Sequence, residues 1–87
     1  MSDQELLEFP CVITVKAMGR HDVELDLTVV EIIRRHVERI DEGAVAVRAS
    51  GKGNYVSVSV SVHAESREQM DRIYQDLTDC EHVLMAL

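Results

Sequence analysis

Residues 55–63, with the sequence YVSVSVSVH, constrain the fold of this chain more than any other segment. The valines occupy every second position, so they share one face of an extended strand, and the tyrosine, serines and histidine share the other. Strict alternation of this kind is typical of a strand that is buried on one side and exposed on the other. The chain must therefore build an antiparallel sheet, and apolar side chains from other segments must cover its valine face.

Two segments have the apolar spacing of helices that can cover the valine face. The first runs from about residue 22 to residue 41, and Gly43 is predicted to end it as a left-handed cap. The second opens at residues 66–69, Ser-Arg-Glu-Gln, which fit a helix-capping box. Each helix has one buried stripe: Leu25, Val29, Ile32, Ile33, His36, Val37 and Ile40 in the first, and Met70, Ile73, Tyr74 and Leu77 in the second.

Three further segments are predicted to be strands. They are residues 11–18, residues 82–87, and residues 44–50 with Val45, Val47 and Ala49 pointing inward. Residues 19–22 are predicted to form a turn. Residues 51–54 are predicted to form a hairpin loop, because both of its glycines and Asn54 suit the positive φ angles of such turns.

The resulting order, βαββαβ, predicts an α+β fold, a ferredoxin-like sandwich. Its four-stranded antiparallel sheet has the spatial order 4-1-3-2, and both helices lie on one face. A chain of 87 residues has room for one core. We therefore predict a single domain over residues 1–87, in which residues 1–9 form a leader segment.

The charge balance excludes several classes of protein. The chain has 16 acidic and 9 basic residues and a net charge of −7, which argues against binding to nucleic acid or to anionic membranes. No apolar run approaches the roughly 20 residues that cross a bilayer, and residues 1–5 form no signal core, so we expect a cytoplasmic protein. Cys11 and Cys80 are predicted at opposite ends of the sheet, as two free thiols.

Four segments together resemble the YbeD-like family of small bacterial proteins. They are residues 6–11 (LLEFPC), 16–19 (KAMG), 52–58 (KGNYVSV) and 83–87 (VLMAL), and the resemblance covers essentially the whole chain. Gly51 departs from the family pattern, in which a serine is expected before Lys52. The family is similar in fold to the ACT-type regulatory domains, and its members often sit beside lipoate-attachment genes. The resemblance thus implies a ferredoxin-like fold and a regulatory role linked to lipoate metabolism.

The sheet face opposite the predicted helices, here called the open face, is the candidate functional surface. It is predicted to carry Thr14, Lys16, Arg48, Ser50, Tyr55, Ser57, Ser59 and Ser61. Two interpretations stay open, a solvated surface or a docking site for a carboxylate ligand, an acidic protein or a second copy of the chain. An RNA-binding sheet would need two or three stacking aromatic side chains, and this face has one. The candidate partner residues are Lys16, Arg48, Lys52, Tyr55, Ser57 and Ser59.

The sequence has no pattern that predicts catalysis. It has no paired nucleophile and base, no cofactor motif and no metal-ligand spacing, and no spacing rule selects His21, Cys80 and His82 as a metal site. We therefore predict a small regulatory or adaptor module that uses no cofactor and binds a protein partner or a small carboxylate metabolite. The alternatives are a small enzyme or carrier accessory to lipoate attachment, and a purely structural homo-oligomer.

Overall fold

The computed structural model describes residues 8–87, so residues 1–7 of the predicted leader lie outside the described part. The sheet is antiparallel, with the order β2-β3-β1-β4, which is the predicted order 4-1-3-2 seen from the other edge. The predicted α+β sandwich is therefore confirmed. Its elements are β1 (Cys11–Arg20), α1 (Leu25–Arg34), β2 (Val45–Ser50), β3 (Tyr55–Ala64), α2 (Arg67–Asp79) and β4 (Met85–Ala86).

The core lies between the valine face of β3, alternate residues of β1 and the two helices. Val58 and Val60 of β3 are fully buried, whereas Ser57 and Ser59, which alternate with them, are half-buried, as the alternation predicts. The side chain of Ser66 accepts a hydrogen bond from the Gln69 backbone N–H, as the predicted capping box requires. The Gln69 side chain accepts from the backbone N–H of Glu65, one residue before the Ser66 N–H that the box predicts. The buried core is Val15, Ala17, Leu25, Val29, Ile32, Ile33, Val58, Val60, Val62, Ala64, Met70, Ile73 and Leu77.

Strand β1 is longer than predicted, because Gly19 and Arg20 continue it instead of forming a turn. Its pairing with β3 is unbroken from Cys11 opposite Ala64 to Arg20 opposite Tyr55. A Cβ atom on Gly19 would lie 2.5 Å from the carbonyl oxygen of His82, so only glycine fits there. This glycine therefore marks the close approach of another backbone segment and does not mark a turn.

Helix α1 is shorter than predicted and ends at Arg34, not near residue 41. Beyond it, the Arg35 N–H donates to the carbonyl of Ile32 and the His36 N–H donates to that of Ile33, so the last turn tightens before the chain leaves the helix. Val37 and Ile40 still pack against the core. The apolar spacing was correct about which residues contact the core, but it cannot show that the backbone has changed direction between them.

Gly43 has the predicted positive φ of 82°, but it does not cap α1. It lies in a separate turn in which the Ala44 N–H donates to the carbonyl of Asp41, directly before β2. In β2, Val47 lies on the predicted face, opposite Val58, yet it is 49% exposed. Val47 is exposed because β2 is the edge strand of the sheet and the helices do not cover it.

Strand β4 contains only Met85 and Ala86, where the sequence predicted a strand over residues 82–87. Backbone hydrogen bonds extend the contact with β1, since the Leu84 N–H donates to the Met18 carbonyl and Lys16 and Leu87 exchange two bonds. In the described residues, neither helix has the length and the apolar character needed to cross a membrane.

Candidate functional site

The strand register brings five of the six predicted partner residues together on the open face. In an antiparallel pair, side chains directly opposite one another lie on the same face. Lys16 of β1 is opposite Ser59 of β3, and Arg48 of β2 is opposite Ser57 of β3. Tyr55 begins β3 on the same face and is the partner of both Ser50 and Arg20.

Lys16 and Arg48 lie on the two strands that flank β3, so the serines of β3 lie between two cations. Two strand spacings and an offset of two residues put their Cα atoms on the order of 12 Å apart. Both residues are exposed, and neither forms an ion pair with any carboxylate of residues 8–87. Long side chains at this separation can reach the same carboxylate-rich surface from opposite sides.

Lys52, the sixth predicted residue, is at the tip of the β2–β3 hairpin and not on the sheet itself. The φ angle of Lys52 is +60°, and the glycines on either side of it, Gly51 and Gly53, have φ angles of +58° and +87°. Asn54 was predicted to have a positive φ and does not. A left-handed conformation costs a residue with a Cβ atom about 1–2 kcal/mol. The Tyr55 ring packs over this turn, since a Cβ atom on Gly51 would lie 2.8 Å from its Cδ2 atom.

Sequence reasoning missed three residues of the open face. Arg20 continues the alternation of β1, but Gly19 suggested a turn in front of it. Met85 is opposite Met18, and Leu87 exchanges two backbone hydrogen bonds with Lys16, so both extend the face beyond β1. Only the register of the short strand β4 reveals them, because a two-residue strand leaves no alternation to detect.

Acidic side chains are absent from the strand positions of the open face in the described residues. Two carboxylates lie beside its ends. Asp22 forms an ion pair with Arg20 at 3.3 Å, and Asp41 accepts a hydrogen bond of 2.5 Å from His63 Nε2. The hydrogen bond from Arg20 lowers the pKa of Asp22, and the hydrogen bond from His63 lowers the pKa of Asp41. The middle of the face is thus positively charged in a chain whose net charge is −7.

Three grooves in the described residues lie away from the middle of the open face. One of about 370 Å³ contains His36, His63 and Gln69, and one of about 360 Å³ lies between α1 and α2 and contains Cys80. A third, of about 260 Å³, is formed by Arg20, His21, Asn54 and Tyr55 at the hairpin end. Among these grooves, only the third includes a predicted partner residue, Tyr55.

The three residues considered for a metal site do not form one. Among residues 8–87, no group of three or more His, Cys, Asp or Glu side chains is placed to hold a metal ion. His21 lies beside the β2–β3 hairpin, where its backbone N–H donates to the carbonyl of Asn54. Cys80 and His82 instead line the groove between the helices. Cys11 and Cys80 are both free thiols, as predicted.

Comparison with known proteins places the chain in a family. A family described as "Protein of unknown function (DUF493)" matches residues 4–87. The chain belongs to this family. A UPF0250 protein of Vibrio cholerae is 44% identical over 84 residues, which cover 97% of this chain and 89% of the relative. A UPF0250 protein of Neisseria gonorrhoeae is 38% identical over 91 residues, with full coverage of both chains. The resemblance to the YbeD-like family is thereby confirmed.

A solved structure also resembles this one. The solution structure of protein HP0495 from H. pylori has a TM-score of 0.71 with this chain. The match covers 93% of this chain and 85% of the HP0495 chain. The sequence identity is 14%, so the likeness concerns the fold alone.

Proposed function

We propose that this protein is a non-catalytic regulatory or adaptor module that acts in the cytoplasm and binds an acidic protein partner through the open face. One observation carries the proposal. Lys16 and Arg48 are exposed, form no ion pair with a side-chain carboxylate of residues 8–87, and flank β3 on a face without acidic strand residues. Although the chain has a net charge of −7, its open face carries cations, so an acidic patch on a partner is complementary to this face.

The strength of such a contact depends on its exclusion from water. A hydrogen bond to a charged group contributes roughly 1.5–3 kcal/mol where water is displaced, and far less where the pair stays solvated. A partner that covers Lys16 and Arg48 would therefore gain affinity from both, and salt would weaken its approach. The serines between them offer hydroxyl groups that donate to or accept from the same partner.

The shape of the face favours a protein over a small metabolite. Small-molecule sites are concave and enclose most of their ligand. Lys16, Arg48, Ser57 and Ser59 line none of the three grooves described above. A small carboxylate metabolite is therefore the second candidate for this surface.

The runner-up from another class is a small enzyme or carrier accessory to lipoate attachment, which rests on the family resemblance. Two His–carboxylate pairs could orient a catalytic base: His36 with Asp76 at 2.7 Å and His63 with Asp41 at 2.5 Å. The groove beside both histidines contains no serine, cysteine or threonine among its lining residues. That composition supports a binding role over nucleophilic catalysis.

The test compares two double variants in a pull-down from a bacterial lysate. Lys16→Ala with Arg48→Ala removes two cations from the open face. Arg67→Ala with Arg72→Ala removes two exposed cations from α2, and neither pairs with a carboxylate in residues 8–87, so the net charge of the two variants is equal. We expect the first variant to keep its fold and to lose a captured partner by about tenfold or more, and the second to retain it.

Other results have definite meanings. Equal capture by both variants and the unmodified protein would make the open face a solvated surface. Equal loss from both variants would mean that net charge alone drives the association. A titration with glutarate, followed by NMR shifts of the Lys16 and Arg48 amides, tests the small-metabolite candidate separately.

A further inference from the structure

The open face also presents apolar side chains, at the edge where β4 joins β1. Met85 is 54% exposed and Leu87 is 66% exposed. Met85 is opposite the half-buried Met18, so the three side chains are adjacent. An exposed apolar cluster beside charged and hydroxyl side chains is typical of an interaction surface.

The apolar cluster and the cations lie side by side. Across the sheet, one row runs from Arg48 through Ser57 and Met18 to Met85. The next row contains Ser59, Lys16 and Leu87, joined by the β3–β1 pairing and by the two backbone hydrogen bonds between Lys16 and Leu87. A partner that covers both rows must therefore be apolar toward β4 and acidic toward β1 and β2.

Backbone hydrogen bonding limits what kind of element can lie on this face. The sheet presents side chains there, and its own N–H and C=O groups are paired along the strands. A single strand or irregular loop lying flat on it would leave backbone polar groups without partners once water is displaced. A helix satisfies its own backbone groups, and α1 and α2 already pack on the opposite face of the same sheet in this way.

We propose that the open face docks an amphipathic helix of a partner protein. The apolar stripe of that helix packs over Met18, Met85 and Leu87, and its acidic side chains point toward Lys16 and Arg48. Four strands span about 15 Å, which accommodates one helix of roughly 10 Å diameter. This inference rests on the proposed function and specifies the element of the partner that is bound.

Site-directed cross-linking tests the geometry. The photoreactive amino acid p-benzoylphenylalanine replaces Ser59 in one protein, Met85 in a second, and Gln75 on the outer surface of α2 in a control. We expect Ser59 and Met85 to cross-link to one segment of one partner, in which apolar residues recur at helical spacing beside Asp or Glu. The Gln75 control should not label that segment, and Lys16→Ala with Arg48→Ala should abolish the labelling.

A matched pair of apolar variants gives an independent measurement. Leu87→Ser removes an apolar side chain from the open face, and Leu27→Ser removes one from α1, where Leu27 is 60% exposed. A synthetic peptide of the labelled segment should bind the Leu87→Ser protein roughly fivefold to tenfold more weakly and the Leu27→Ser protein unchanged. The peptide should also gain helical circular dichroism on binding.

The outcomes separate this inference from the proposed function. If a partner depends on Lys16 and Arg48 but the labelled segment is extended or lacks an apolar stripe, the helix proposal is overturned and the binding module stands. If no partner depends on the two cations, both are overturned. Labelling of α1 in a second copy of this chain would replace the partner helix with head-to-tail self-association, because Leu27 and Glu31 of α1 and Glu24 just before it form a similar outer surface.

Discussion

Lys52 is the residue at which the proposed binding role and the stability of the fold are in conflict. Its left-handed backbone, at a φ of +60°, suits glycine better than lysine. Glycine stands on both sides of it, so a third glycine would complete the turn at lower energy. Strain that is retained where a simple replacement would relieve it is a reason to look for function. In this chain the retained group is a cation at the edge of the proposed docking surface.

We expect Lys52→Gly to raise the free energy of unfolding by about 0.5–1 kcal/mol, or the melting temperature by roughly 2–6 °C. Thermal unfolding followed by circular dichroism measures this. Lys52→Ala is the control, because it removes the same charge and keeps the left-handed cost. A Gly variant no more stable than the Ala variant would show that the turn is not strained at Lys52.

The six residues proposed from the sequence differ in how well a pattern could locate them. Ser57 and Ser59 follow from the alternation alone, since a strand with a buried face must have an exposed one. Lys16 and Arg48 needed the strand order as well. Met85 and Leu87, which are not among the six, could not have been found, because their face is set by pairing with β1 and not by any pattern in residues 82–87.

At the scale of elements, the sequence predicted which residues touch the core better than it predicted where elements end. Val37 and Ile40 contact the core as the stripe required, although α1 has ended before them. The end of α1 coincides with tertiary contacts: His36 bonds to Asp76 of α2, and its carbonyl accepts from Gln69 Nε2. Such contacts join residues more than 30 positions apart and are invisible to local periodicity.

Strand β3 allows a direct test of the two faces of the sheet. Val58→Asp would place a carboxylate at a fully buried position without a partner. That costs several kcal/mol, against a total stability of about 5–15 kcal/mol for a domain, so we expect this variant to be largely unfolded. Ser59→Asp adds the same charge one residue away, on the open face opposite Lys16, and should fold.

Urea unfolding of both variants measures the difference. Ser59→Asp should unfold within about 1 kcal/mol of the unmodified protein, because the half-buried position lies on the open face, where the new carboxylate can extend into water beside Lys16. If both substitutions lower the free energy of unfolding equally, the open face is already covered by another element. In that case the docking proposal would lose its surface.

At the scale of the whole molecule, the acidic side chains of residues 8–87 are unevenly distributed. Described carboxylates lie on the helices and loops, and the open face carries cations with hydroxyl and apolar side chains. Net charge and composition are totals for the whole chain, so they exclude classes of partner but do not show where on the surface the charges lie. Under the proposed function, the open face is the surface that meets an acidic partner, and the negative charge on the rest of the chain opposes nonspecific association.

The two carboxylates at the ends of the open face link this distribution to pH. The hydrogen bond from His63 lowers the pKa of Asp41 below 3.8. A carboxyl whose pKa is lower in the folded than in the unfolded protein stabilises the fold at pH values above its pKa in the unfolded protein. That contribution is lost as the pH falls through the lowered pKa of the folded protein. The His63–Asp41 bond joins β3 to the segment that follows α1, so it contributes to holding that end of the sheet at pH values above 3.8.

We therefore expect His63→Ala to raise the pKa of Asp41 toward 3.8, measured by NMR titration of its side-chain carboxyl carbon. Asp22, whose pKa is lowered by the hydrogen bond from Arg20 at the opposite end of the sheet, serves as the internal control and should titrate unchanged. The variant should also unfold at a lower temperature than the unmodified protein above pH 3.8, and the difference should disappear in more acidic solution. An unchanged Asp41 titration would contradict the bond, and a shift of both aspartates would point to a change of the whole fold. Because His63 lies at the far end of β3 from Lys52, partner capture should survive this substitution, which separates the stability of the sheet from the binding role of its face.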